Sequence, residues 1–339
     1  MPEEHIDVIA TTISGSISDW AKVGRIVPLF RTCGLRDVDL HVVDTHGAAR
    51  DLTRCQVRSG TRTVIAAGGS GTFNSVIEGC IDAAVPLSDL TLGFLRKGSA
   101  DLLGKALGMP DEITCAIEVI AESLARRRTV PCDVIGVRQG RDPGHARHFV
   151  GYAGAEIFGR IPHYTENRFI KYYKGLLGQF FGDLGPFFVG ASLAVLEKSW
   201  RSLVQSPVPW EVYIDGQVVA VNVYQAMIIL NGDLGPDLPF ARSVALGSGD
   251  FHLFAFRDLG ALRLLAQFRN AWNVSVLDRA ERFGLEHYRV GRILRLRPRS
   301  DRPFPVNVDG STMSCAPWVD FSIIDQVRLL SAHVAPAAI

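Results

Sequence analysis

The 339-residue sequence predicts an α/β first domain built on a parallel sheet, followed by a β-rich antiparallel second domain. Two features carry that prediction. The first 130 residues alternate short β-branched runs with helical segments, the pattern of a parallel sheet covered on both faces. After Pro131 strand-like runs follow one another, separated by turn signals such as Asp215-Gly216 and Asp309-Gly310, as in antiparallel sheets. The length suffices for two cores, and 47% hydrophobic against 21% charged residues argues against disorder.

In the first domain the strand candidates are Ile6–Ala10, Val38–Val43, Thr63–Ala67 and Leu90–Leu95. Helices are expected over Ile17–Cys33, Ala48–Ser59, Phe73–Ala83, Ala100–Leu107 and Asp111–Arg127. Gly108-Met109-Pro110 supplies a Gly-then-Pro stop, and Asp111 is placed to cap the helix that follows. The domains are expected at 1–130 and 131–324, with the tail 325–339 returning to the first because termini often lie close together.

Strands in the second domain are expected at Cys132–Val137, His148–Tyr152, Val189–Leu196, Trp210–Ile214, Val218–Leu230, Phe251–Phe256, Ile293–Pro298 and Pro305–Val308. A helical insert over Asn167–Phe181 carries Phe169, Tyr172, Tyr173 and Phe180. Core packing is its default role, and an acyl pocket is the alternative.

Charge and cysteine usage exclude several function classes. A net charge of +1 provides no field for a polyanion, so nucleic acid is not an expected partner. Six scattered cysteines without a CxxC pair suit a reducing cytoplasm rather than a disulfide frame or a zinc site. The acidic start Met1-Pro-Glu-Glu lacks the form of a signal peptide. Leu184–Leu196, a nearly uncharged stretch, is too short to span a bilayer. A cytoplasmic protein is expected, with peripheral contact at a membrane surface and homodimer formation left open.

The strongest local signal is Thr63–Gly79. A buried strand runs into Gly68-Gly69-Ser70-Gly71-Thr72 and then directly into a helix. Glycine permits positive φ and close approach of a ligand to the backbone. The helix start adds unpaired N–H groups and the positive end of the dipole, a combination that favours phosphate. A tight strand–helix turn without a ligand is the plainer alternative. Gly69-x-Gly71 lacks the third glycine of a dinucleotide fingerprint, and Gly98–Lys105 has one residue too many for a P-loop.

Gly68–Thr72 with Asn74 resembles the GGDGT-x-N signature of the diacylglycerol kinase and sphingosine kinase superfamily. Leu92–Pro110 is similar to that family's LGxLPxGTxNDFAxxLGxP block. Ser14-Gly15 stands where the family has NPxSG, and Thr45 where a threonine meets the nucleotide. Cys132-Asp133-Val134, Asn231, Pro239-x-Ala241, Gly249 and Val308-Asp309-Gly310 resemble second-domain landmarks in the right order, so the resemblance covers essentially the whole chain.

The resemblance implies ATP held between two domains, magnesium, and a lipid or other hydrophobic alcohol as phosphoryl acceptor. Asp309 would be the general base. Ser14, Gly15, Thr45, Gly68, Gly69, Ser70, Gly71, Thr72 and Asn74 would contact the nucleotide, together with Arg96, Lys97, Gly98, Ser99 and Asp101. Ser70, Asp101 and Asp309 would face the metal, close together in an interdomain cleft. Arg96 and Lys97 stand where the family has Pro and an apolar residue, as phosphate-stabilising cations or as solvated loop charges.

Several family acids are missing. Ser70 replaces the GGD aspartate and Ser75 the glutamate after the asparagine. Leu102 and Ser248 replace acids of a structural metal network, and Ser311 replaces the glutamate of DGE. Losing paired acids together is coherent, because one orphaned buried carboxylate costs more than none. A serine hydroxyl can still ligate Mg²⁺. A kinase of a hydrophobic alcohol is therefore expected first. A nucleotide-binding regulatory protein without the magnesium acids is the alternative, and a kinase of a polar metabolite a third. Asp250 and His252 alternate along one strand and are expected as a surface pair.

Overall fold

The computed structural model describes residues 5–12, 22–96, 102–142, 144, 146–165, 190, 192–197, 206–235, 238–260, 263, 267 and 275–333. The chain forms two units, Met1–Val134 with Asp325–Ile339, and Ile135–Ile324.

In the first unit β1 (Ile6–Thr11), β2 (Val38–Val43), β3 (Thr63–Gly68) and β4 (Thr91–Arg96) pair in parallel, in the order β2-β1-β3-β4. Every residue of β1 and β3 is buried, which is why these strands read as unbroken apolar runs rather than alternating ones. Helices α1 (Ile26–Thr32), α2 (His46–Ser59), α3 (Ser70–Asp82), α4 (Leu102–Ala106) and α5 (Ile113–Ala125) connect them. The end of the last strand continues the sheet in parallel, with Arg328 beside Thr91. Gly60 ends α2 at φ 118°, a left-handed turn that favours glycine.

Two local expectations change. Residues 22–32 hold the described part of the first helix, and its expected start at 17 lies outside the described residues. The cap of α5 is Glu112, one residue later than expected, because its carboxylate reaches the Cys115 amide at 2.8 Å. The amides of Cys115 and Thr114 hold the Glu112 carboxyl down at about 2.

At the starting ends of the strands, the fully buried Asp7 accepts from Thr61 Oγ1 and pairs with His41 Nε2, both at 2.6 Å, and also accepts from Gln56 at 3.3 Å. His5 Nε2 lies 3.4 Å from Asp7, and His5 Nδ1 lies 2.9 Å from Asp37. A buried carboxylate is tolerable only with such partners. Here they tie β1 to β2 at the end opposite the glycine turn.

The second unit is a two-layer antiparallel structure. One sheet runs β12-β11-β10-β7-β14-β15. Its strands are β7 (Tyr152–Glu156), β10 (Tyr224–Leu230), β11 (Phe251–Arg257), β12 (Leu285–Val290), β14 (Phe304–Val308) and β15 (Ser311–Cys315). The other layer contains β8 (Trp210–Ile214), β9 (Gln217–Asn222), β13 (Ile293–Pro298) and the first half of β16 (Val319–Leu330). It also includes the later part of β5 (Thr129–Gln139), paired with β6 (Arg147–Phe149). Phe149, Trp210, Tyr224, Phe251 and Phe321 fill the core between the layers.

The expected strand Val189–Leu196 is instead helical over residues 192–197. Ala194 and Val195 pack against Ile157 while Leu196 is 64% exposed, so its β-branched content is overridden by one-sided burial. The expected run Val218–Leu230 is two strands, β9 and β10. The aromatic insert 167–181 lies outside the described residues. Among the described residues no helix is long and apolar enough to cross a membrane.

Candidate functional site

The first unit places its chemistry where β1, β2 and β3 end. β3 stops at Gly68, and α3 starts at Ser70 with Gly69 as its N-cap. Gly69 has no side chain to cap with; the Thr72 amide donates to the Gly69 carbonyl at 3.0 Å, and the Ser70 and Gly71 amides before it face outward for an outside acceptor. The expectation of positive φ fails here. Gly69 lies at φ −90°, ψ −176°, an extended conformation open to any residue, and Gly68 and Gly71 are not in the left-handed region either.

What these glycines provide is room. A β-carbon on Gly68 would collide with Thr72 Oγ1, and one on Gly71 would stand 2.8 Å from the His46 ring. Thr72 Oγ1 in turn shares a 2.6 Å hydrogen bond with Thr11 Oγ1, fastening the turn to the end of β1. Ser70 is exposed at the first helical position and Asn74 is partly exposed one turn later. Thr45 caps α2, its Oγ1 accepting from the Ala48 amide at 3.0 Å. His46, which sequence reasoning passed over, forms a wall of the turn. Its only sequence signal is its place directly after Thr45.

Arg96 ends β4 but does not reach into open space. Its side chain is 4% exposed, donates to the Met109 carbonyl at 2.9 Å and pairs with Asp111 at 3.0 Å. Asp111, expected as a cap, is thus a counter-ion. Ser14, Gly15, Lys97, Gly98, Ser99 and Asp101 lie outside the described residues.

The second unit places Asp309 in the β14–β15 hairpin. Its Oδ1 accepts from the Tyr152 amide at 2.8 Å, and its Oδ2 from Val150 at 3.1 Å and Gly151 at 3.4 Å. The Asp309 amide donates to Tyr152 O at 2.9 Å. Its backbone sits at φ 43°, a strained value for a residue with a β-carbon. Burial pushes the carboxyl up to about 6, although the three amides pull the other way. That combination gives a carboxylate that is ionised at neutral pH yet basic enough to take a proton.

Residues 5–136 match the diacylglycerol kinase catalytic domain family. Over these residues, nearly all of Met1–Val134, the chain resembles diacylglycerol kinases. It is 25% identical over 250 residues to the diacylglycerol kinase of Bacillus subtilis (strain 168), covering 73% of this chain and 70% of that one. A crystal structure of a diacylglycerol kinase from Bacillus anthracis str. Sterne superposes with a TM-score of 0.63 at 15% identity, covering all of both chains. Another structure from that strain gives 0.68 at 16% identity, over 100% of this chain and 99% of the other.

Three of the five positions expected to lack family acids are turned inward, whereas Ser70 is exposed. Ser75 Oγ turns back to the Gly71 carbonyl at 2.8 Å. Leu102 is buried at the start of α4. Ser248 Oγ donates to Asp250 Oδ1 at 2.5 Å, and Asp250 also pairs with Arg289.

The expected surface pair Asp250 and His252 is buried instead, at 4% and 6% exposure. Cross-strand register explains the difference. His252 faces Arg289 and Phe254 faces His287 on β12, so His252 Nδ1 lies 2.9 Å from His287 Nε2 and the His287 ring stacks flat on Phe254. Burial lowers the pKa of both histidines.

Proposed function

We propose that the protein is a phosphotransferase that moves a phosphoryl group from ATP to the hydroxyl of a lipid or other hydrophobic alcohol. The observation that carries this reading is Asp309, a carboxylate held in an amide cradle with its pKa raised toward neutrality. The first unit holds phosphate on the open first turn of α3, where amides and dipole favour anions. The second unit supplies the base. Asp309 accepts the proton of the acceptor hydroxyl as its oxygen bonds to the γ-phosphorus. The bond from that phosphorus to the β-phosphate oxygen breaks, and the nucleoside diphosphate leaves. Such transfer depends chiefly on positioning and charge stabilisation.

Family resemblance also implies magnesium. Mg²⁺ prefers carboxylates, waters and phosphates in octahedral geometry. Of the expected ligands, Ser70 offers a hydroxyl, Asp309 already accepts three amide hydrogen bonds, and Asp101 lies outside the described residues. No step is assigned to the metal. Transfer of labelled γ-phosphate from ATP across a panel of lipid alcohols tests the proposal. ATP binding without turnover of any acceptor would support a nucleotide-binding regulator, the reading favoured by the closed-off Ser75 and Ser248 positions.

A further inference from the structure

We infer that Asn231 is a positioning residue for Asp309, holding from behind the backbone that cradles the carboxylate; this rests on reading Asp309 as the base. Asn231 follows β10 and is fully buried. Its main-chain N–H donates to the Gly151 carbonyl at 3.1 Å, and its Nδ2 donates to the Val150 carbonyl at 2.8 Å. The amides of the same two residues point to Asp309 Oδ2. Asn231 thus holds the carbonyls of Val150 and Gly151 while Asp309 takes their amides.

Residues 150–151 need such a brace because no sheet ladder holds them. β6 ends at Phe149 and β7 begins at Tyr152, where pairing with β10 starts at Leu230 and pairing with β14 starts at Ala153. Tolerance at the cradle is small: a β-carbon on Gly151 would stand 2.7 Å from Asp309 Oδ1. Hydrogen bonds to a peptide carbonyl also polarise the chain of bonds they belong to, strengthening the donors on the far side. A displacement on the order of 1 Å in a base costs about 100-fold in rate, so a brace of this kind acts on turnover and leaves nucleotide binding alone.

The test is Asn231→Leu in the full-length protein, read by kinetics and by amide NMR. Asn231→Asp keeps the volume, removes the side-chain donor, and is read in the same way if the leucine variant does not fold. The expected result is a kcat lower by roughly 10- to 100-fold with the KM for ATP within about twofold. On an Asp309→Asn background the same change should cost less than about twofold further, because the two residues act through one cradle. Full additivity, or an unchanged kcat, would overturn the inference. The Val150 and Gly151 amide resonances should move in Asn231→Leu as they do in Asp309→Asn. Unmoved resonances overturn the brace even in a protein that turns nothing over, whereas a wild type with no transferase activity overturns only the base assignment.

Discussion

Residues 68–72 of the first unit and 308–311 of the second are both glycine-containing turns at strand ends, yet they handle charge in opposite ways. The first carries no ionisable side chain. It presents Ser70 and the Ser70 and Gly71 amides, and its hydroxyls bond inward, Thr72 to Thr11 and the adjacent Ser75 to Gly71. The second retains a carboxylate and surrounds it with amide donors. Under the proposed function the bare helix start would receive an anion and the caged carboxylate a proton. Each turn lacks one acid that the family resemblance implies, at Ser70 and at Ser311, and under the proposed function the two turns still differ in what they suit because only the second keeps a carboxylate.

The largest effect should come from breaking the second turn. Asp309→Asn should lower kcat by roughly 10²–10⁴-fold with little change in ATP affinity, since a general base acts in the transition state. With the carboxyl at about 6, wild-type kcat should rise as pH climbs through that value and then level off. A kcat that stays flat between pH 5 and 7.5 would count against Asp309 as the base.

Breaking the first turn should act on binding instead. Gly69→Val is compatible with the extended backbone at that position but sets a branched side chain beside the open amides. ATP affinity measured by calorimetry should fall by about tenfold or more, that is, at least about 1.4 kcal/mol, while the circular dichroism spectrum stays native. Unchanged affinity in a folded variant would show that phosphate is held elsewhere.

These two turns were legible in the sequence to different degrees. The Gly68–Thr72 run stands out because strand, glycine and helix signals are local, whereas Asp309-Gly310 reads locally only as a turn and its role as base comes from the family resemblance. The cradle does not stand out, because the amides of residues 150–152 belong to the backbone and have no side-chain signature. Cross-strand register hid the burial of His252 against His287, and one-sided packing made a helix of residues 192–197, where a strand is expected through Leu196. At the glycine turn the expectation of positive φ fails. Close approach of Thr72 and His46, not positive φ, excludes larger residues.

A smaller effect would sharpen the contrast by returning charge to the first turn. Ser70 is exposed in the first turn of α3, so Ser70→Asp should stabilise the helix by a few tenths of a kcal/mol, about 0.3–1 at most. Without a nucleotide the melting temperature should rise slightly. In turnover assays the Mg²⁺ concentration for half-maximal activity should fall a few-fold, because a carboxylate suits a hard cation better than a hydroxyl. An unchanged magnesium dependence would mean that the metal does not meet residue 70.

The smallest effect lies at the far end of the same sheet, where the first unit keeps its ionisable cluster apart from the turn. The hydrogen bond from His5 to Asp37 raises the His5 pKa above 6.5, against a desolvation cost and with help from the charges of Asp7, Asp37 and Asp39. A histidine whose folded pKa is raised contributes stability that is complete below its unfolded value of 6.5 and disappears as pH climbs through the raised folded value. The side chain of His5 is 36% exposed, so solvent screening should keep the contribution well under about 1 kcal/mol. His5→Gln should therefore lower the melting temperature slightly at pH 5.5 and leave it unchanged at pH 8.5, with ATP affinity unaffected at either pH. A loss of stability that is equal at both values would mean that packing, rather than charge, is what His5 contributes. A change in ATP affinity would mean that the two ends of the sheet are coupled, and the separation of charge from the phosphate turn would fail with it.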